Sequence, residues 1–122
     1  MKIGLIPALV AIALLPAPLL RADAIPVKNL VSDSLGEGRQ PQVTVTPAGT
    51  IVAVFARDRS IYSVQSADEG RTYSAPQKIA DLNGLMVGMR RGPRVAATDK
   101  RIVVSAPGAD LLSFISEDMG KT

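Results

Sequence analysis

The chain of 122 residues has no cysteine, no histidine and no tryptophan. Without histidine or cysteine it can build neither a Ser-His-Asp nor a Cys-His relay. It cannot assemble a thiolate or imidazole zinc site. No disulfide can brace it, so packing alone must hold the fold. Aromatics are scarce at 3%, which removes the stacking surfaces that nucleic-acid binders interleave with basic residues. The net charge of +3 is mild, and its arginines and lysines are dispersed apart from Arg90-Arg91. No nucleic-acid partner is expected. No cofactor or metal is expected either.

What is present begins with an address. Met1-Lys2 gives a positive start, residues 3–20 carry no charge, and Ala22-Asp23-Ala24 fits the small-residue pattern of signal cleavage. Residues 1–24 are therefore expected to be a signal peptide cut after Ala24, with residues 25–122 as the exported chain. The rival reading is a membrane anchor. Pro7, Pro16 and Pro18 oppose a spanning helix, so no stable membrane span is expected after cleavage. Localisation is expected to be secreted or periplasmic.

Beyond residue 25 the pattern is that of short strands separated by Gly, Pro, Asp and Asn. Strands are expected over 42–46, 51–57, 61–66 and 72–79, then over 94–98, 101–106 and 111–116. Pro47-Ala48-Gly49, Arg57-Asp58-Arg59-Ser60 and Ala67-Asp68-Glu69-Gly70 supply the first turns. The connection over 83–92 contains Gly84, Gly88 and Gly92, whose spacing matches a helix-dimer motif. Arg90 and Arg91 disfavour that reading, and a loop is expected. Arg90, Arg91 and Arg94 are expected to be solvated loop charges rather than an anion-binding cluster.

The two stretches repeat. Ser66-Ala67-Asp68-Glu69-Gly70-Arg71-Thr72 is echoed by Ser116-Glu117-Asp118-Met119-Gly120-Lys121-Thr122, and Arg39-Gln40-Pro41 by Arg91-Gly92-Pro93. A period of about 50 residues fits a four-stranded repeat unit. The residue types suit a tight hairpin. Asp accepts backbone N–H bonds, Gly takes a positive φ, and the hydroxyls bond locally.

Ser66, Asp68, Gly70, Thr72 and Tyr73 together resemble the Asp box (BNR repeat) of the sialidase, or neuraminidase, superfamily. Ser116, Asp118, Gly120 and Thr122 resemble a second box. The resemblance covers about residues 36–122. It implies an all-β fold, a β-propeller fragment with about one complete four-stranded blade plus most of a second after the signal peptide. Blade one would span about 39–80 and blade two about 91–122. The second box stops at Thr122, so the chain is expected to be the N-terminal part of a longer propeller. In that family the boxes serve the fold.

The resemblance extends to Arg39-x-Pro41 followed by residues 49–57. It implies that Arg39 binds the substrate carboxylate and that Asp58 is the acid/base candidate. Guanidinium groups suit the first role because they hold carboxylates through two parallel hydrogen bonds. The recurrence at Arg91-Gly92-Pro93 points instead to a repeat feature, in which both segments open the innermost strand of a blade. Neither Tyr62 nor Tyr73 matches the family's tyrosine nucleophile, so the chain by itself is expected to be inactive. The leading expectation is a secreted sialidase-like protein whose parent is an exo-glycosidase for sialylated or related acidic glycans. The alternative is a non-catalytic propeller that binds glycans or proteins. The expected partner is a glycan or glycoconjugate, and the oligomeric state is left open.

Overall fold

The structure, a computed structural model, describes residues 37–122. The expected signal peptide lies outside them. The described residues form seven strands in two antiparallel sheets and contain no helix. None of them therefore forms a helix long and apolar enough to cross a membrane.

The first sheet joins β1 (Arg39–Val45), β2 (Ile51–Arg57), β3 (Ser60–Ser66) and β4 (Gln77–Asp81) in chain order. The second joins β5 (Arg94–Ala97), β6 (Ile102–Pro107) and β7 (Leu111–Ser116), also in chain order. Each is a meander, because two antiparallel strands need only a short turn between them. Thr46 accepts from Gly49 and donates to Thr50 across the first turn, both at 2.9 Å. Gly49 takes φ 88° there, a region that costs glycine little.

Two expected strands are corrected. The first starts at Arg39 rather than residue 42. Pro41 is tolerated because β1 is an edge strand, where a missing N–H breaks no ladder. The fourth starts at Gln77 rather than residue 72. Residues 72–76 are drawn into other bonds: Thr72 binds Asp68, and the Ser74 N–H donates to the Gln65 carbonyl at 2.8 Å. Pro76 then supplies no donor at all.

The sheets pack face to face on a shared core. Val52, Val54 and Ile61 from the first meet Ile102, Val104 and Ala106 from the second, with Leu82 of the connection between them. Strand alternation explains the selection, since every second residue of β6 is buried. Ala53, Phe55 and Val64 form a smaller cluster on the opposite face of the first sheet, with Tyr62 and Tyr73 against it. The Phe55 and Tyr62 rings stack at 5.8 Å. Three of the chain's four aromatic residues are thus gathered at one place.

Polar ties also join the sheets. The Ala48 N–H donates to Asp99 Oδ1 at 2.8 Å, and Gln65 Nε2 donates to the Met119 carbonyl at 2.8 Å. The connection crosses through Met86, whose N–H reaches the Pro107 carbonyl at 2.9 Å. The approach is tightest at Gly92, where an added Cβ would lie 2.5 Å from the Cβ of Gln40. Towards β4 and β7 the sheets leave a cavity of about 460 Å³ lined by residues such as Lys78, Ile79, Phe114 and Thr122.

Candidate functional site

The two turn segments after β3 and β7 adopt one geometry. After β3, the Ser66 hydroxyl donates to Asp68 Oδ1 at 2.8 Å and accepts from the Gly70 N–H at 2.9 Å. Asp68 also receives the Thr72 N–H at 2.8 Å and the Thr72 hydroxyl at 2.5 Å. After β7, Ser116, Asp118, Gly120 and Thr122 repeat every one of these bonds, at 2.7, 2.7, 3.1 and 2.7 Å in the same order. Backbone angles match as well: φ is 61° at Glu69 and 84° at Gly70, against 60° at Met119 and 80° at Gly120. Only the second of each pair is glycine, so the aspartate network must hold the non-glycine residue in its left-handed conformation. Tyr73 lies against the first turn, its hydroxyl 3.1 Å from where a Cβ on Gly70 would sit. Gln65 of the neighbouring sheet takes the matching place beside Gly120.

These contacts lower the Asp118 pKa from 3.8 to about 2. The Thr122 hydroxyl contributes most, followed by the Ser116 hydroxyl and the N–H groups of Thr122 and Lys121. Each favours the ionised form by donating to it. The folded value is below the unfolded one, so the contribution to stability is complete above 3.8. It is lost as pH falls through about 2. A carboxyl ¹³C NMR titration should find the Asp118 midpoint near 2, and Thr122→Val should move it up towards 3.8. An unmoved midpoint in that variant would remove the hydroxyl as the principal cause.

At the other end of the first sheet, a polar pocket of about 280 Å³ is lined by Glu37, Arg39, Arg57, Asp58 and Val87. The strand register brings these groups together. Arg39 pairs with Ala56, which sets it beside Arg57, and Arg57 pairs with Ser60 to close a two-residue hairpin at Asp58-Arg59. Asp58 takes φ 51°, the positive sign that tight hairpins favour at their first loop residue and that aspartate tolerates. Its exposed carboxylate faces Arg57 Nε at 3.6 Å.

The start of β1 is irregular. Between Arg39 and Gln42 it carries one residue more than β2 opposite, which is a β-bulge. Gln40 holds φ 51° immediately before Pro41, where the proline ring disfavours compact conformations. Bulges re-aim the side chains next to them, and here the neighbour is Arg39. The second Arg-x-Pro segment lacks this geometry. Gly92 has no positive φ, and Arg91 precedes β5 and makes an isolated bridge to Gly88. Both segments stand where the first strand of a sheet begins, Arg39 opening β1 and Arg91-Gly92-Pro93 immediately preceding β5, but their local backbones differ, and Gly92 lies against Gln40.

Arg39 and Asp58 are thus brought into one pocket, at the opposite end of the sheet from the 66–73 turn. Arg57 and Glu37 line it too, and the sequence reading had missed both. Arg57 carried no sequence signal of its own, since its place beside Arg39 comes from the strand register. Arg90, Arg91 and Arg94 are exposed, and Arg94 spends one N–H on the Arg90 carbonyl at 3.2 Å. Comparison with protein-family models, curated proteins and solved structures returned no match.

Proposed function

We propose that this chain forms the opening blades of an exported, sialidase-like β-propeller that recognises carboxylate-bearing glycans. Supporting it above all is one observation: Arg39 and Asp58, the two residues singled out by the resemblance, open on the same pocket with Arg57 added. Two guanidinium groups at the rim of one cleft suit a carboxylate, which each can grip through paired N–H bonds. The matched turn segments support the propeller reading, because they give both sheets the same strand-exit geometry at the end away from the pocket. Exo-glycosidase activity is assigned to a longer parent, with Arg39 holding the sugar carboxylate and Asp58 as the proton-transfer candidate.

Binding without catalysis is the second reading, favoured by the setting of Asp58. It sits at a hairpin tip, its side chain 85% exposed and already facing Arg57. That is how a solvated turn carboxylate is placed.

Calorimetric titration with N-acetylneuraminic acid separates these readings from no recognition at all. Arg39→Ala should weaken binding by roughly tenfold to a hundredfold, as expected for losing a charge-assisted hydrogen-bonded contact. The corresponding neutral sugar should not bind. Equal affinity in wild type and Arg39→Ala, or equal affinity for the neutral sugar, overturns the proposal. Turnover of a fluorogenic sialoside by a longer parent protein decides between enzyme and binding module.

A further inference from the structure

The arginines are treated differently at the two ends of the sheets. At the end that carries the turn segments, Arg71 pairs with Glu69 at 3.2 Å and Arg101 with Glu117 at 2.7 Å. At the pocket end, Arg39, Arg59, Arg90, Arg91 and Arg94 are exposed, and none of them forms a salt bridge among the described residues. Residues 82–98 contain no Asp or Glu. Arg90, Arg91 and Arg94 therefore stand together with no carboxylate on their own segment to neutralise them. Like charges held close repel each other, and an anion placed between them relieves that cost.

Their placement beside the Arg39 pocket is fixed. Gly88 and Arg91 exchange backbone bonds at 3.1 and 2.9 Å, closing a hairpin with Met89 and Arg90 at its tip. Arg90 holds φ 66° there, a conformation that glycine would adopt at lower cost. The Arg94 guanidinium donates to the Arg90 carbonyl at 3.2 Å, and Arg91 Nη1 reaches Met86 Sδ at 3.7 Å. Both flanks of the hairpin are tied to the pocket. Val87 lines it, and Gly92 lies against Gln40, the neighbour of Arg39. From Val87 to Arg90 the chain can span at most about 11 Å.

We infer that this hairpin is a second anion subsite, and that the ligand is a glycan carrying carboxylates on successive sugars. The inference rests on the reading that Arg39 holds one carboxylate. Arg90 and Arg91 take the next one along the glycan through paired N–H bonds, and Arg94 adds its charge. A second contact on a ligand already tethered forms at high effective concentration, so it adds affinity. A nucleic acid fits less well, since neither the pocket nor the hairpin offers an aromatic side chain on which a base could stack. Further blades leave the hairpin open, because blades pack through the faces of their sheets and the hairpin stands at the ends.

Calorimetric titration of the chain with N-acetylneuraminic acid and with its linear trimer tests this. The trimer should bind the wild type roughly tenfold to a hundredfold more tightly than the single sugar. That gain exceeds what three equivalent sugars give by statistics. Arg90→Gln combined with Arg91→Gln should remove most of it. Arg71→Gln combined with Arg101→Gln takes the same charge from the other end and should leave both affinities as in the wild type. A trimer no tighter than the single sugar overturns the inference. So does a gain that survives loss of Arg90 and Arg91, or one that falls equally on loss of Arg71 and Arg101. A single-stranded oligonucleotide that binds as tightly as the trimer overturns it in favour of a nucleic acid. If Arg39→Ala weakens the single sugar while the trimer gains nothing, the second subsite alone fails. If the single sugar does not bind, or binds regardless of Arg39, the Arg39 reading fails and takes the second subsite with it. Circular dichroism checks folding, and Arg90→Gly with Arg91→Gln replaces a pair that fails that check.

Discussion

Ile61→Ala should lower the free energy of unfolding by about 2–5 kcal/mol, the range for removing a large aliphatic side chain from a packed core. Ile61 is fully buried between the sheets with Val52, Val54 and Val104 in the same cluster. The side chain has no route to solvent, and the ladder fixes its backbone on both sides. Ile61 pairs with Ala56 on β2 and Ala80 on β4. Collapse around the lost atoms would require these paired strands to move, so most of the cavity should persist. A domain of this size has about 5–15 kcal/mol in total, and the loss is a large share of that. Leu111→Ala is the internal control. Leu111 follows Ile61 by 50 residues, as Ser116 follows Ser66, but its side chain is 78% exposed, and the change should stay within roughly 0.5 kcal/mol. Urea denaturation of both variants measures the contrast. Equal losses at the two positions would mean that the sheets do not pack on the faces described.

The second large effect is expected at Gly92. An alanine Cβ there would approach the Gln40 Cβ to 2.5 Å, well inside van der Waals contact. Gln40 cannot rotate away, because its Cβ is fixed by the backbone at φ 51° just before Pro41. The sheets must part or the bulge must unwind, and the cost should be about 1–3 kcal/mol, as for other overpacked sites. Gln40→Gly should restore the Gly92→Ala variant. It removes the opposing Cβ and places at that φ the residue that adopts it most readily. Alone, Gln40→Gly should change stability little, because the relieved strain offsets the greater freedom of the unfolded chain. The double-mutant cycle reads this as a coupling. Strictly additive changes would separate Gly92 from Gln40.

Most of the strand plan was legible because it is written locally. Residues 51–57 and 111–116 combine β-branched or bulky apolar runs with clear turn residues at both ends, and both strands fall where those residues place them. The fourth strand was misplaced at its start because nothing in residues 72–76 announces that Ser74 and Thr72 bond backwards to Gln65 and Asp68. Turn chemistry over 66–73 could be read from residue types, since each bond there spans only a few positions. The pocket could not be read that way. Arg39 and Asp58 came from resemblance, whereas Arg57 looked like one more turn residue until the register set it beside Arg39. Val87 enters from the connection between the sheets, whose path depends on long-range contacts. The close approach of residues 40 and 92 was equally hidden, because it is made across the interface between the sheets.

The crossed ties between the sheets carry a consequence for how the molecule comes apart. The first hairpin's Ala48 amide is satisfied by Asp99 of the second sheet, and the Met119 carbonyl at the second sheet's last turn is satisfied by Gln65 of the first. Neither sheet closes its own polar inventory, and each also leaves half of the shared core uncovered when it stands alone. Loosening either one exposes apolar surface on the other. The two meanders should therefore unfold together, because either one left standing would expose its side of the common core to water.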